Sequence, residues 1–226
     1  MKKFLLFSIV ILLAGCDNEK DINQFYMPGQ FEEQNAVWLG WQGYDPYYPV
    51  GADMIEALMP FVQIKIITES DSILEVCKNY LTQRKIDTAK IKFHVIPDNE
   101  FWIRDHAAAF IINKNGEMLA VDFEWGTYGY RQWLLEKFNN DVLKADSIFS
   151  KSGASKRGSV DSMMAVAENI PIVKTWIVME GGSIEVNGKG TLILNEPLTL
   201  SRNEGASKDS LEKEFKRVLG VTNIIW

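Results

Sequence analysis

A chain of 226 residues with 46% hydrophobic, 24% charged and 12% aromatic side chains has the composition of a packed globular protein. That composition excludes a disordered tail, a collagen-like repeat and a coiled coil. Lys and Arg number 24 against 30 Asp and Glu, a formal charge of -6 that excludes a nucleic-acid binder relying on phosphate contacts. Two cysteines cannot staple a disulfide scaffold, so the fold must come from the buried core of one large or two small domains.

Met1-Lys2-Lys3 is a short basic start, Phe4 to Leu13 an apolar run, and Leu13-Ala14-Gly15-Cys16 its close. The run is too short for a helix spanning a ~30 Å hydrocarbon core, which needs roughly 20 residues, and reads as a secretory signal. It resembles the bacterial lipoprotein signal. That resemblance implies cleavage before Cys16, acylation of its thiol, and a protein held by a lipid anchor on the extracytoplasmic side of a bacterial membrane. The signal then takes residues 1–15 and leaves 211 of 226, with a tether and entry segment over 16–34 and the folded domain over 35–226. The alternative is a plain secretory signal with a chance cysteine.

Beyond the entry segment, short strands and helices alternate. Ala36 to Trp41 has strand character, and Asp53 to Met59 reads as a helix with Asp53 as its N-cap. Gln63 to Thr68 and Lys90 to Ile96 alternate with the period of a half-buried strand, and Asp71 to Lys85 is an amphipathic helix. Ala107 to Ile112 and Met118 to Asp122 flank Asn115-Gly116, a hairpin turn signal. Tyr130 to Phe138 reads as a helix, Ser150 to Ser162 as a loop, and Asp161 as the cap of a short helix ending at Glu168. A second hairpin turns at Asn187-Gly188, Ser207 to Leu219 is a helix stopped by Gly220, and Val221 to Trp226 is a strand. The pattern recurs at roughly 50 to 70 residues. It predicts an α/β stack of ββαβ-like units rather than a doubly wound nucleotide fold, since no Gly-x-Gly-x-x-Gly or Gly-Lys-Ser/Thr loop is present.

Metal chemistry has little to build on: the histidines are His94 and His106, and there is no Cys-x-x-Cys or His-Glu-x-x-His. A Ser-His-Asp hydrolase lacks its Gly-x-Ser-x-Gly elbow. Cys77 follows the apolar spacing of its helix and reads as a small buried residue. Two segments stand out, Asn99-Glu-Phe-Trp-Ile-Arg-Asp105 and Met179-Glu-Gly-Gly-Ser-Ile184. A carboxylate before Gly-Gly can sit at a strand end with little steric cover, so that a ligand approaches closely. Asp105 and Glu180, with Trp102 nearby, suit a planar cation: guanidinium matches carboxylates with a fork of donors and stacks on indole. The alternative is that Asp105 pairs with Arg104 or a neighbour and Glu180 is a turn residue.

Met27-Pro-Gly-Gln-Phe-Glu32, Val37-Trp-Leu-Gly-Trp41, Trp102-Ile-Arg-Asp105, Val121-Asp122 with Trp125-Gly126, Glu180-Gly-Gly-Ser-Ile184 with Gly190-Thr191-Leu192, and Leu200-Ser-Arg-Asn203 stand in this order. Together they resemble the agmatine deiminase and bacterial, Porphyromonas-type peptidylarginine deiminase family. The resemblance implies a pentein-type α/β propeller of ββαβ modules. It also implies metal-free and cofactor-free hydrolysis of a guanidino group to a ureido group with release of ammonia. A cysteine thiolate attacks the guanidinium carbon, and water then hydrolyses the covalent intermediate with a histidine as acid and base. By motif match Asp105 and Glu180 hold the guanidinium and Trp102 walls the pocket.

The sequence departs from the family at His106-Ala107-Ala108, where relatives read Gly-Pro after one residue, and at Glu185-Val186-Asn187, in place of a His-x-Asp. It also lacks the family's later Gly-His-x-Asp element and nucleophilic cysteine. The expectation is therefore an incomplete propeller of about three of five modules, without deiminase activity by itself. A lipid-anchored guanidine-binding module and a truncated remnant are the other readings. Agmatine and peptidyl-arginine are both open as the guanidino substrate.

Overall fold

A computed structural model of the chain describes residues 21–152 and 154–226, so the expected signal and Cys16 lie outside the described residues. Among the described residues no helix is long and apolar enough to cross a membrane.

The first unit is a parallel sheet of β1 (Ala36–Trp41), β2 (Gln63–Thr68) and β3 (Ile91–Val95), crossed by helices α1 (Tyr48–Leu58) and α2 (Asp71–Gln83). Helix α2 starts where Ser70 accepts from the Ile73 N–H. Ala52, Ile55, Cys77 and Leu81 from the two helices bury against Ile64 and Ile66, each large side chain contributing about 1.5–3 kcal/mol of transfer energy. Asp53 is not the cap of α1. Pro49 occupies the first turn, where its missing N–H is harmless, so the helix begins at Tyr48. Asp53 instead pairs across the surface with Arg84 at 2.6 Å.

The second unit opens with a hairpin, β4 (Ala109–Ile112) and β5 (Met118–Glu124), and closes with β6 (Ile172–Val178) parallel to β5. Between them lie α3 (Tyr130–Lys137), α4 (Val142–Lys151) and α5 (Val160–Ala167). Helix α4 is additional to the sequence reading; Asp141 caps it by accepting from the Lys144 N–H at 3.1 Å. The stretch expected as a loop holds the end of α4, a 3-10 turn over Ala154–Ser159 and the start of α5. Asp161 is not the cap of α5 but a buried residue inside it.

The third unit repeats the second, with hairpin β7 (Ile184–Val186) and β8 (Thr191–Leu194), helices α6 (Glu196–Arg202) and α7 (Lys208–Leu219), and β9 (Asn223–Ile225) parallel to β8. The expected repeat is thus two hairpin-led units preceded by a βαβαβ unit. Among the described residues the strands form three separate three-stranded sheets and no closed sheet.

Packing joins the units. Phe25 and Met27 of the entry segment are buried in the core shared by the second and third units. The Met27 N–H donates to the Leu219 carbonyl at 2.9 Å. Gly220 ends α7 at φ 63, and a Cβ there would strike the Phe25 carbonyl oxygen. The first and second units meet at Ile67, Ile96, Ile103, Val160 and Met164, and at Glu168, whose carboxylate lies within 2.9 Å of Lys65, Lys92 and His94.

Candidate active site

The loop after β3 carries Asp105 to the end of the second unit. Gly40 of β1 lets this loop approach, since a Cβ there would overlap the Glu100 carbonyl oxygen. Buried Ile103 anchors a 3-10 turn over Ile103–Asp105. His106 closes the loop from inside: its Nε2 lies 2.9 Å from Asp98 Oδ2 in a buried pair, and its ring rests 5.3 Å from that of Trp125. Arg157 ties the same loop down through Glu100 at 2.6 Å. His106, the residue between Asp105 and the Ala107-Ala108 departure, is therefore a clasp for the loop.

The side chains of Arg104 and Asp105 dock onto the backbone of the Glu180-Gly-Gly segment. Asp105 Oδ1 accepts from the Gly182 N–H at 2.9 Å, and Arg104 Nε donates to the Gly181 carbonyl at 3.2 Å. A Cβ at 181 would run into the Arg104 carbonyl oxygen, and one at 182 would sit 2.5 Å from Asp105 Oδ1. Gly181 thus admits the Arg104 backbone and Gly182 the Asp105 carboxylate, where the sequence suggested that the glycines clear space for a ligand. Asp105 does not pair with Arg104. Its second oxygen accepts from the Tyr128 hydroxyl at 2.7 Å.

Glu180 is buried, with 4% of its surface exposed. Its Oε1 accepts from Arg202 Nε at 2.6 Å, while Oε2 is buried without a hydrogen-bond partner. The Ser183 N–H and hydroxyl both donate to the Glu180 carbonyl. Just upstream, Asn203 grips the strand end: its Oδ1 accepts from the Val178 N–H and its Nδ2 donates to the Val178 carbonyl, both at 2.9 Å. The end of α6 therefore holds both the Glu180 carboxylate and the strand end that precedes it. Trp102 is 63% exposed and packs edge-on against Phe101, at the rim of the loop that ends in Asp105.

The surroundings are electronegative. The Tyr128 phenol is pushed above its ordinary value by burial and by its bond to Asp105, with the charges of Glu100 and Glu180 adding to the effect. Two grooves of about 870 and 500 Å³ border the turn that carries Tyr128, the larger walled by Trp133, Trp176 and Arg202. Cys77 is elsewhere, fully buried in the first unit, and burial pushes its thiol up to about 12. His94 belongs to the Glu168 junction, where burial lowers its pKa.

The model of the Porphyromonas-type peptidyl-arginine deiminase family matches residues 26–226. The chain belongs to that family. Among its relatives, the agmatine deiminase of Pseudomonas syringae pathovar tomato is 27% identical over 213 residues, covering 89% of this chain and 52% of the relative. That of Pseudomonas savastanoi pathovar phaseolicola is 26% identical over 207 residues, covering 89% and 52%. In three dimensions the deiminase-family chain is similar to the agmatine deiminase of Enterococcus faecalis, with a TM-score of 0.71, 25% identity, and coverage of 91% of this chain and 53% of that one. The family member described here thus spans about half the length of the relatives it matches.

Tyr128, Arg202 and Asn203 have no assigned role in the sequence reading. The signal for two of them was present, since Arg202 and Asn203 close the last of the ordered deiminase motifs, and Tyr128 follows Trp125-Gly126 by two residues.

Proposed function

We propose that this chain binds a guanidinium group at Asp105 and Glu180, as the substrate-holding part of a guanidino-group hydrolase. One observation carries the reading. Two carboxylates are brought to one segment by the bond from the Gly182 N–H to Asp105, and one of them keeps an oxygen, Glu180 Oε2, buried and unpaired. A buried unpaired carboxylate oxygen is costly unless a donor completes it, and guanidinium supplies donors in a fork that suits carboxylates. Trp102 supplies an exposed aromatic face at the rim. Family membership supports the chemistry, in which water replaces the guanidino nitrogen, giving a ureido product and ammonia. The names of the relatives favour agmatine as the probe; peptidyl-arginine is the other guanidino substrate.

We further propose that this chain by itself binds without hydrolysing. The reaction needs a thiolate at the guanidinium carbon. Among the described residues the one cysteine is Cys77, protonated and buried away from Asp105. The two hairpin-led units support a pentein-type α/β propeller, of which this chain holds about three of five modules.

Calorimetric titration of the intact chain with agmatine is expected to give saturable binding, weakened about thirtyfold or more by Asp105→Asn, which removes a charge-assisted contact. Ammonia release is expected to stay at the level of a protein-free control. Absence of a binding heat, or equal binding by Asp105→Asn, would sink the proposal, and ammonia above the control would overturn the inactivity.

The sequence before residue 17 supports an extracytoplasmic, lipid-anchored protein. Cys16→Ser is expected to move the chain from the membrane pellet to the soluble fraction, and a pellet unaffected by the substitution would remove Cys16 as the anchor.

A further inference from the structure

Three consecutive residues beside the candidate site are left-handed: Thr127 at φ 50, Tyr128 at φ 56 and Gly129 at φ 72. Glycine takes that conformation freely, but a β-branched threonine or a bulky tyrosine does so only under constraint. Such strain persists where the surroundings over-determine it, and it gathers at sites that must be pre-organised. Here the constraint is visible. Thr127 is buried and its hydroxyl donates to the Gly126 carbonyl at 2.8 Å. The Arg202 side chain fills the space over the two flanking glycines; a Cβ at 129 would lie 2.5 Å from Arg202 Nη1, and one at 126 would lie 3.4 Å from its Cδ. Arg202 is itself held by Glu180.

What the strained turn delivers is Tyr128. Its half-exposed ring stands edge-on against Trp125 at 4.9 Å, and its hydroxyl donates to Asp105 Oδ2 at 2.7 Å. We propose that Tyr128 is a specificity-determining residue of this site, locking the Asp105 carboxylate in the orientation that accepts a fork-shaped guanidinium in preference to a simple ammonium. The proposal rests on the guanidinium reading above.

The preference follows from the acceptor positions that Asp105 has left. A carboxylate offers about four lone-pair positions. On Asp105 one position of Oδ1 is used by the Gly182 N–H and one of Oδ2 by the Tyr128 O–H. One position remains on each oxygen, the pair that a two-pronged donor engages together. Rotation about the Cβ–Cγ bond breaks one prong of a bidentate contact but leaves an ammonium, a compact and adaptable point charge, free to follow. Fixing both oxygens therefore favours the fork. The contacts also close a ring from Asp105 to Tyr128, through the turn to Arg202, and on to Glu180, so that one element sets both carboxylates.

The test compares agmatine with cadaverine, which carries an ammonium where agmatine carries its guanidinium, by calorimetry on the intact chain. Tyr128→Phe is expected to raise the Kd for agmatine about tenfold, the scale of one hydrogen bond to a charged group, and that for cadaverine less than twofold. Gly129→Ala, which pushes Arg202 off the turn, is expected to lower the agmatine-to-cadaverine preference in the same direction. A purely structural role would weaken both compounds alike, so equal weakening, or no change in the ratio, overturns the proposal. If the unsubstituted chain binds agmatine through Asp105 but Tyr128→Phe leaves the ratio in place, this proposal alone fails. If the unsubstituted chain binds neither compound, the guanidinium reading fails and takes this one with it.

Discussion

Arg202→Ala is expected to destabilise the chain by about 3–5 kcal/mol, the scale of a buried ion pair that has lost one partner. Glu180 has 6% of its side chain exposed and its partner 18%. Oε2 is already without a hydrogen bond, so removing Arg202 leaves a buried carboxylate with both oxygens unpaired. The substitution also strips the side chain that packs over Gly126 and Gly129, loosening the turn that presents Tyr128. The charge and the packing can be separated by a double-mutant cycle. In a Glu180→Gln background, where Arg202→Ala strands no buried carboxylate, the substitution is expected to cost about 1–2 kcal/mol or less. Urea denaturation at constant slope measures each step. A loss below about 1 kcal/mol for the single substitution, or the same loss in both backgrounds, would show that Glu180 is not held by this pair.

The cycle bears on function as well as stability. A carboxylate meant only to be neutral in the core would be paired on both oxygens, and Glu180 is paired on one. Arg202 thus engages one oxygen of Glu180 and leaves the other for another donor. Asn203, next along the chain, holds Val178 by both its N–H and its carbonyl. The last turn of α6 acts as a support for the strand end from which Glu180 projects.

How much of this was legible in the sequence follows from the range of each interaction. The two hairpins were legible because their turns are local: Asn115-Gly116 and Asn187-Gly188 place glycines at φ 78 and φ 64. Helix α7 was legible from its apolar spacing and from Gly220 as its stop, and Ser207, read as its first residue, is its cap. Helix α4 was not. Asn139 and Asn140 both leave the right-handed region to end α3, and Leu143 lies exposed on the new helix, which blurs the apolar period. The all-parallel first sheet was hidden for another reason, since alternation marks a strand but not its partner. Asp105 and Glu180 were found as carboxylates in unusual local settings, beside tryptophan and before glycines. Their union depends on a hydrogen bond across 77 residues, and the link from Glu180 to Arg202 spans 22 more. No periodicity or spacing encodes either contact. The glycines after Glu180 show the same limit: their need was visible, but what approaches them was the chain itself.

A second large effect is expected from pH. Asp161, inside α5, lies buried against β5, where burial, reinforced by the charge of Asp122, pushes its carboxyl up to about 8. The Ser162 N–H donates to Asp161 Oδ1 at 2.7 Å, which opposes the shift without cancelling it. In the unfolded chain the group titrates near 3.8. Between those values the native state holds a proton that the unfolded state has released, so stability falls as pH rises through that window and levels off above it. The contribution is fully present below the unfolded value and lost above the native one. Asp161→Asn removes the titration while keeping an oxygen for the Ser162 N–H. The stability advantage of the variant over the parent is therefore expected to grow by about 2–3 kcal/mol between about pH 5 and about pH 8.5, short of the full shift because Asp161 and Asp122 interact. Urea midpoints at several pH values give the difference directly, and the titrations of groups that do not interact with Asp161 cancel in it. A stability difference that does not change between these two pH values would show that Asp161 is ionised in the native core, and that Asp122 and Asp161 carry two charges side by side.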